Sequence, residues 1–386
     1  MQGSKLVFIS ACAGMLLFGI SVITLGSLAP NLNVKFHLDP IASGTLFSIL
    51  PFGILTGSLV FGPFSDRYGY KFFLVLSALC MFGGFQGIAF APSLLLLKFC
   101  VFLFGFGGGA INGATNAVVA DISSSNKGAN LSLLGIFYAL GALGMPGLLG
   151  FLENRFSYET ILSYVSLASL LIAGLFIFTR FPAAKQVEGI PISKAWKLTK
   201  EGFILLSAFF LFFQSSFEAI INNWTTTYLS QQLAIPGNRA LFALSLYVVG
   251  MAAMRLIIGS LLRNITSQNI LFLCLTFLVI GCLFIHFASS YFVSAIGMVA
   301  IGIGLAAGFP IVMGLIGIRY ESLSATAFSI VLFIALSGNM MLNYLMGIVV
   351  EKFGIQQFPA VLFTLCGAML LLAALVIKKY KSFTSN

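Results

Sequence analysis

Twelve apolar runs, each long enough to cross a bilayer, follow one another along this chain with short polar connectors between them. They fall near residues 6–30, 41–62, 72–91, 93–120, 130–151, 158–179, 202–230, 239–262, 270–287, 290–317, 325–350 and 357–377. A crossing helix needs about 20 apolar residues, so twelve crossings occupy most of the 386 positions. The chain is 59% hydrophobic and 8% charged, against about 25% charged in a soluble domain, and its mean hydropathy is +1.06. A soluble fold is excluded. The expected class is an all-α membrane protein of twelve transmembrane helices, arranged as two six-helix halves related by pseudo-twofold symmetry.

Lys and Arg number 20 against 10 Asp and Glu, yet the basic residues stand singly between apolar runs. No basic stripe interleaved with exposed aromatics is present, so no nucleic-acid partner is expected; the partner is the lipid bilayer. Cys12, Cys80, Cys100, Cys274, Cys282 and Cys366 all lie in apolar stretches without metal or redox spacing, which predicts packing roles and neither metal nor cofactor. Ile9-Ser10-Ala11-Cys12 has the form of a lipoprotein cleavage box, but only Leu6 to Ile9 precede it as an apolar segment and the run continues to Pro30. The first span is read as retained.

The longest polar stretch, Arg180 to Glu201, has six spans on either side. It divides the chain into an N-terminal half (1–180), a cytoplasmic linker (181–201) and a C-terminal half (202–386). With a cytoplasmic N-terminus, fourteen basic residues fall inside and only Lys35, Arg155, Arg239 and Lys352 outside. The positive-inside rule then places both termini in the cytoplasm, and a bacterial inner membrane is the expected location. The halves echo each other at an offset near 200 residues: Gly105-Phe-Gly107-Gly-Gly-Ala110 recurs as Gly302-Ile-Gly304-Leu-Ala-Ala307. Both strings also fit a dinucleotide fingerprint, but that motif needs a strand-to-helix turn. Within apolar helices small residues allow close packing instead.

Between spans two and three lies Gly62-Pro-Phe-Ser-Asp66-Arg67-Tyr68-Gly69-Tyr70-Lys71. It resembles the G-x-x-x-D-R-x-G-R-[RK] loop of the major facilitator superfamily, and with twelve spans and a parallel repeat the resemblance covers the whole chain. Tyr70 departs from the pattern, standing where the family usually has a basic residue. The resemblance implies a gating latch at the cytoplasmic helix ends, in which Asp66 meets the positive end of a helix and Arg67 pairs with Asp121. Arg263 and Glu321 are the expected counterparts in the second half.

Glu218 is the one carboxylate deep in a span, a functional hypothesis because burying it costs at least a few kcal/mol. Gln214, Glu218 and Asn222 share a face at i, i+4, i+8. Arg255 on span eight differs from Glu218 in depth by roughly 6 Å at 1.5 Å per residue. The pair is the expected ion-coupling site, titrating through desolvation and its arginine partner; a static ion pair is the rival reading. Asn112 and Asn116 on span four, Asn339 and Asn343 on span eleven, and Gln86 on span three add amides that both donate and accept. Trp224 or Tyr228 offers a ring to stack on a sugar. The expected substrate-binding set is Gln86, Asn112, Asn116, Gln214, Asn222, Trp224, Asn339 and Asn343, lining one midplane cavity; interhelical bonding is the alternative for each amide pair.

Phe210-Leu-Phe-Phe-Gln-Ser-Ser-Phe-Glu218 through Trp224 to Tyr228-Leu229 is similar to the F-x-Y-x-G-x-E-x5-W-x3-Y-[LF] stretch of the fucose/galactose/glucose symporter branch. That branch carries acids on helices one and four, where this chain has none on helix one and Asn112 on helix four. The resemblance implies a secondary active transporter, a symporter of a small neutral polar solute such as a monosaccharide coupled to H+ or Na+, working by alternating access as a monomer. Gly141, Gly144 and Pro146 also resemble the fifth-helix motif of antiporters, so proton-coupled export of lipophilic drugs is the alternative. No Ser/His/Asp or paired-acid cluster lies in the spans, and no enzyme is expected.

Overall fold

The structure, a computed structural model, describes residues 2–123, 127–182, 198, 200–261, 265–320 and 324–384. Among these, every regular element is helical, and twelve helical segments are long and apolar enough to cross a membrane. The protein is thus an integral, multi-pass membrane protein. It divides into two compact units, Met1–Glu188 and Gly189–Asn386.

In the first unit the spans are α1 (Gln2–Ser27), α3 (Pro40–Tyr68), α4 (Tyr70–Phe90), α5 (Leu94–Ile122), α6 (Lys127–Leu152) and α7 (Tyr158–Phe178), with the short α2 (Ala29–Phe36) after the first. In the second they are α8 (Gly202–Gln232), α9 (Gly237–Leu261), α10 (Ser267–His286), span ten in two pieces, α11 (Tyr291–Leu305) and α12 (Gly308–Arg319), then α13 (Ser324–Phe353) and α14 (Phe358–Thr384). Ser93 and Ser290 cap the starts of spans four and ten by accepting from the backbone N–H three residues on, the usual role of an N-cap hydroxyl.

The repeat seen in the sequence is a repeat of packing. In the first unit α1 packs on α6 and α5, α3 and α4 on α5, and α4 on α7. In the second, α8 packs on α13 and α12, α9 and α10 on α11, and α10 on α14. Each contact joins spans that correspond at an offset of six. Glycine makes the tightest of these approaches possible: a Cβ on Gly302 of α11 would collide with the Tyr247 carbonyl of α9.

Two local features differ from the sequence reading. The segment read as a loop between spans two and three is helix up to Tyr68, so Asp66 and Arg67 lie on the last turn of α3. Only Gly69 interrupts it, at φ 78°, a left-handed conformation that glycine adopts without a Cβ penalty. The tenth span, expected to be continuous, breaks at Ala306 and Ala307. Pro310 is the cause: it has no N–H to give the Ala306 carbonyl, and its ring crowds the preceding turn.

Replacing Gly302 with valine should overpack the α9–α11 contact by about 1–3 kcal/mol and lower the unfolding midpoint in detergent. Gly314→Val, where an added Cβ meets nothing within 4 Å, should leave the midpoint within a degree or so on the same measurement; equal losses in both would contradict the packing assignment.

Candidate functional site

Span seven carries the chemistry of the second unit. Four-residue spacing puts Gln214, Glu218 and Asn222 on one face of α8. Gln214, 1% exposed, donates from Nε2 to Glu218 Oε1 at 3.1 Å and to the Leu305 carbonyl at 3.1 Å. Leu305 is the last residue of α11, so one amide links the acid of span seven to the break in span ten. Arg255 of α9 lies within electrostatic reach of Glu218. Its buried Nε has no hydrogen-bond partner among the described residues.

Helix α13 supplies the facing amides. Asn343 is fully buried; its Nδ2 donates to the Asn339 carbonyl at 2.9 Å and to Asn339 Oδ1 at 3.0 Å. Its own Oδ1 accepts from Asn223 Nδ2 at 3.1 Å. Asn223 is the residue that sequence reasoning missed, because it lies off the Gln214–Glu218–Asn222 stripe and only the α8–α13 contact reveals it. Seven oxygens on α8 are buried without a hydrogen-bond partner among the described residues: Ser207 Oγ, Gln214 Oε1, Asn222 Oδ1, Asn223 Oδ1, Thr225 Oγ1, Thr227 Oγ1 and Ser230 Oγ. A buried acceptor left unmet costs about 1–3 kcal/mol; four of the seven, on Gln214, Asn222, Asn223 and Thr225, fall within about three turns of the helix.

The rings beside them are enclosed. Trp224 is 2% exposed; Tyr228 stacks on Phe358 at 4.8 Å and donates to the Ile285 carbonyl at 3.4 Å. In the first unit Asn116 Nδ2 donates to the Asn112 carbonyl at 2.9 Å and to Asn112 Oδ1 at 3.0 Å, so the pair is joined within α5, and both residues are half-buried. Gln86 does not join them. Its Nε2 donates to Ser166 Oγ at 2.7 Å, tying α4 to α7. No group of three or more His, Cys, Asp or Glu able to hold a metal occurs among the described residues.

Among the latch residues, Arg263 and Glu321 lie outside the described residues, as do the side chains of Asp66 and Arg67. Asp121, at the end of α5, accepts a 2.7 Å hydrogen bond from Tyr70. The departure from the family pattern is therefore a working partner of that acid. Phe61 stacks on Tyr70 at 6.1 Å and 29°. The second unit has a tyrosine–carboxylate bond too, between different spans: Tyr320, just past span ten, donates to Glu201 Oε2 before span seven and stacks on Phe203 at 6.3 Å and 28°. Burial, then the hydrogen bond and charge of Glu201, hold the Tyr320 phenol above its usual value.

With its folded pKa raised, the Tyr320 contribution is complete below the ordinary phenol pKa of about 10 and fades only as pH rises through the higher folded value. Tyr320→Phe should therefore cost about 1 kcal/mol, discounted because Glu201 is exposed, and the loss should be the same at pH 6 and pH 9. Thermal unfolding at the two pH values checks this; a loss confined to one of them would refute the neutral-phenol assignment.

A model of the Major Facilitator Superfamily matches residues 11–316. The multi-drug resistance efflux pump PmrA of Streptococcus pneumoniae is 26% identical over 193 residues, 49% of this chain and 48% of the pump. The D-xylose transporter of Levilactobacillus brevis is 28% identical over 128 residues, 33% of this chain and 28% of that protein. The chain thus spans about half or less of the length of these curated relatives. Among solved structures, a D-xylose-proton symporter superposes with a TM-score of 0.81 at 15% identity, covering 96% of this chain and 97% of that one. The nucleoside transporter NupG gives 0.77 at 15% identity, covering 99% and 100%. At such identity these structures speak for the fold, twelve helices in the same architecture. With the family match extending over most of the chain, the chain belongs to the Major Facilitator Superfamily of transporters.

Proposed function

We propose that this protein is an ion-coupled symporter of a small neutral polar solute, a monosaccharide or a molecule similarly rich in hydroxyls, of the fucose/galactose/glucose symporter branch. The observation that carries the reading is the group of buried, unmet oxygens along α8, and within it Gln214 Oε1, Asn222 Oδ1, Asn223 Oδ1 and Thr225 Oγ1. Hydroxyl groups donate to such acceptors, whereas an apolar drug would leave them unmet. Asn112, Asn116, Asn339 and Asn343 complete the polar inventory, with Gln86 and Trp224 assigned to the same task from the sequence. The relatives named for D-xylose transport support this substrate class.

Glu218 is assigned the coupling role. A carboxylate inside a span is retained for function, and here it is held by Gln214 and lies in the field of Arg255. The ion is H+ or Na+. Asp66, Arg67 and Asp121, with Arg263 and Glu321 in the second half, are assigned to the cytoplasmic latch that balances the two access states. The protein is placed as a monomer in a bacterial inner membrane with both termini cytoplasmic, in keeping with the fourteen-to-four distribution of basic residues. Its partners are the solute, the coupling ion and lipid.

Proteoliposomes provide the test. Glu218→Gln keeps the shape of the side chain and removes its titration, so gradient-driven accumulation should be lost while counterflow exchange of the same sugar persists; uptake that still follows the gradient would reduce Glu218 and Arg255 to a static pair. Alanine at Asn222 or Asn343 should weaken sugar binding by about 1–3 kcal/mol, roughly 5- to 150-fold in Kd, read by isothermal titration. The second reading, proton-coupled export of lipophilic drugs, is favoured by the similarity to PmrA. It would prevail if both alanine variants bind sugar as the wild type does, and if the wild type expels dyes from inverted vesicles.

A further inference from the structure

Where one end each of α1, α5 and α6 meet, the first unit holds a cavity of about 320 Å³ lined by Lys5, Phe8 and Ile9 of α1, Ile122 of α5 and Asn130 of α6. Its depth follows from the spans. Lys5 lies in the first turn of α1 and Asn130 in the first turn of α6, while Ile122 is the last residue of α5. The cavity therefore straddles the edge of the hydrocarbon. Lys5, Ile122 and Asn130 stand at headgroup level, with Phe8 and Ile9 about 4.5–6 Å deeper at 1.5 Å per residue.

The chemistry is graded along the same axis. Lys5 is exposed and carries three donors on a flexible stem. Asn130 uses one N–H on Ser123 Oγ at 2.8 Å, and an amide nitrogen has a second. Below them, Ile9 is 56% exposed, an apolar wall open to lipid. Asp121, adjacent to Ile122 and the acid that would oppose an anion here, already has Oδ2 engaged by Tyr70 of α4.

We propose that this cavity binds a single anionic phospholipid, its phosphate on Lys5 and Asn130 and the start of an acyl chain along Phe8 and Ile9. A cation at headgroup level above an apolar wall is complementary to an amphiphile with a negative head. A zwitterionic lipid would bring its own ammonium up to Lys5, and a free phosphate would leave the Phe8 and Ile9 wall unused.

The experiment titrates the full-length protein, purified in a neutral detergent, with phosphatidylglycerol, phosphatidylcholine or glycerol 3-phosphate. Bound lipid is counted by native mass spectrometry. Phosphatidylglycerol should bind at one site above background, with phosphatidylcholine and glycerol 3-phosphate at least severalfold weaker. Lys5→Ala should weaken phosphatidylglycerol about fivefold, the effect of one basic residue near an anionic headgroup, whereas Lys5→Arg should keep it, and so should Lys352→Ala at the far end of α13. If Lys5→Ala does not fold, Phe8→Ala and Asn130→Ala carry the test, each with a severalfold loss expected. The proposal is overturned if phosphatidylcholine binds as well as phosphatidylglycerol, if glycerol 3-phosphate matches it, or if phosphatidylglycerol affinity is unchanged in the variants that fold.

Discussion

In hydrocarbon a peptide N–H or C=O without a partner costs several kcal/mol, because no water is present to replace the lost bond. Nearly everything in this molecule answers to that cost. The chain crosses as helices because a helix satisfies its own backbone. The helices are then brought together by dispersion and close fit, since lipid is as apolar as leucine and offers no hydrophobic gain for association. This is why glycines sit where the repeat packs most closely, as at Gly302 against the Tyr247 carbonyl. It is also why the interruption of span ten matters. Pro310 deprives span ten of a backbone bond, and at that break the Leu305 carbonyl is met by Gln214 from span seven.

The same cost sorts the polar side chains into two groups. Some amides and hydroxyls have found protein partners: Gln86 with Ser166 and Asn223 with Asn343 hold helices together, and Asn116 with Asn112 closes within one helix. Others on α8 have oxygens with no donor among the described residues. A fold gains nothing from leaving those acceptors unmet, and the proposed solute site rests on them. Glu218 belongs to this region but differs in kind, as an ionisable carboxyl held by an amide on one side and facing the field of an arginine on the other. The tyrosine–carboxylate bonds at Asp121 and Glu201 lie at the ends of helices, where each stiffens one unit.

Much of this was legible in the sequence. Run length alone yields twelve spans, and the offset of about 200 residues between the glycine strings foretells two units with matching contacts. Proline's effect on span ten was hidden, because hydropathy averages over the break. Tyr70 looked like a gap in a positive cluster until its hydroxyl was found on Asp121. Asn223 lay one residue off the stripe that helical spacing made visible.

What the sequence determined by itself was class and order: a run of apolar residues has few ways to satisfy its backbone in lipid, so span number and spacing follow from composition and length. What only the tertiary structure decided was partnership. The bonds that define the site join residues 91 and 120 positions apart, and helical periodicity names a face without naming the neighbour it meets. In a soluble protein the polar side of each helix would at least mark outward from inward. Here both sides are apolar, one against lipid and one against protein, so that signal is absent and the packing alone selects which amide faces which.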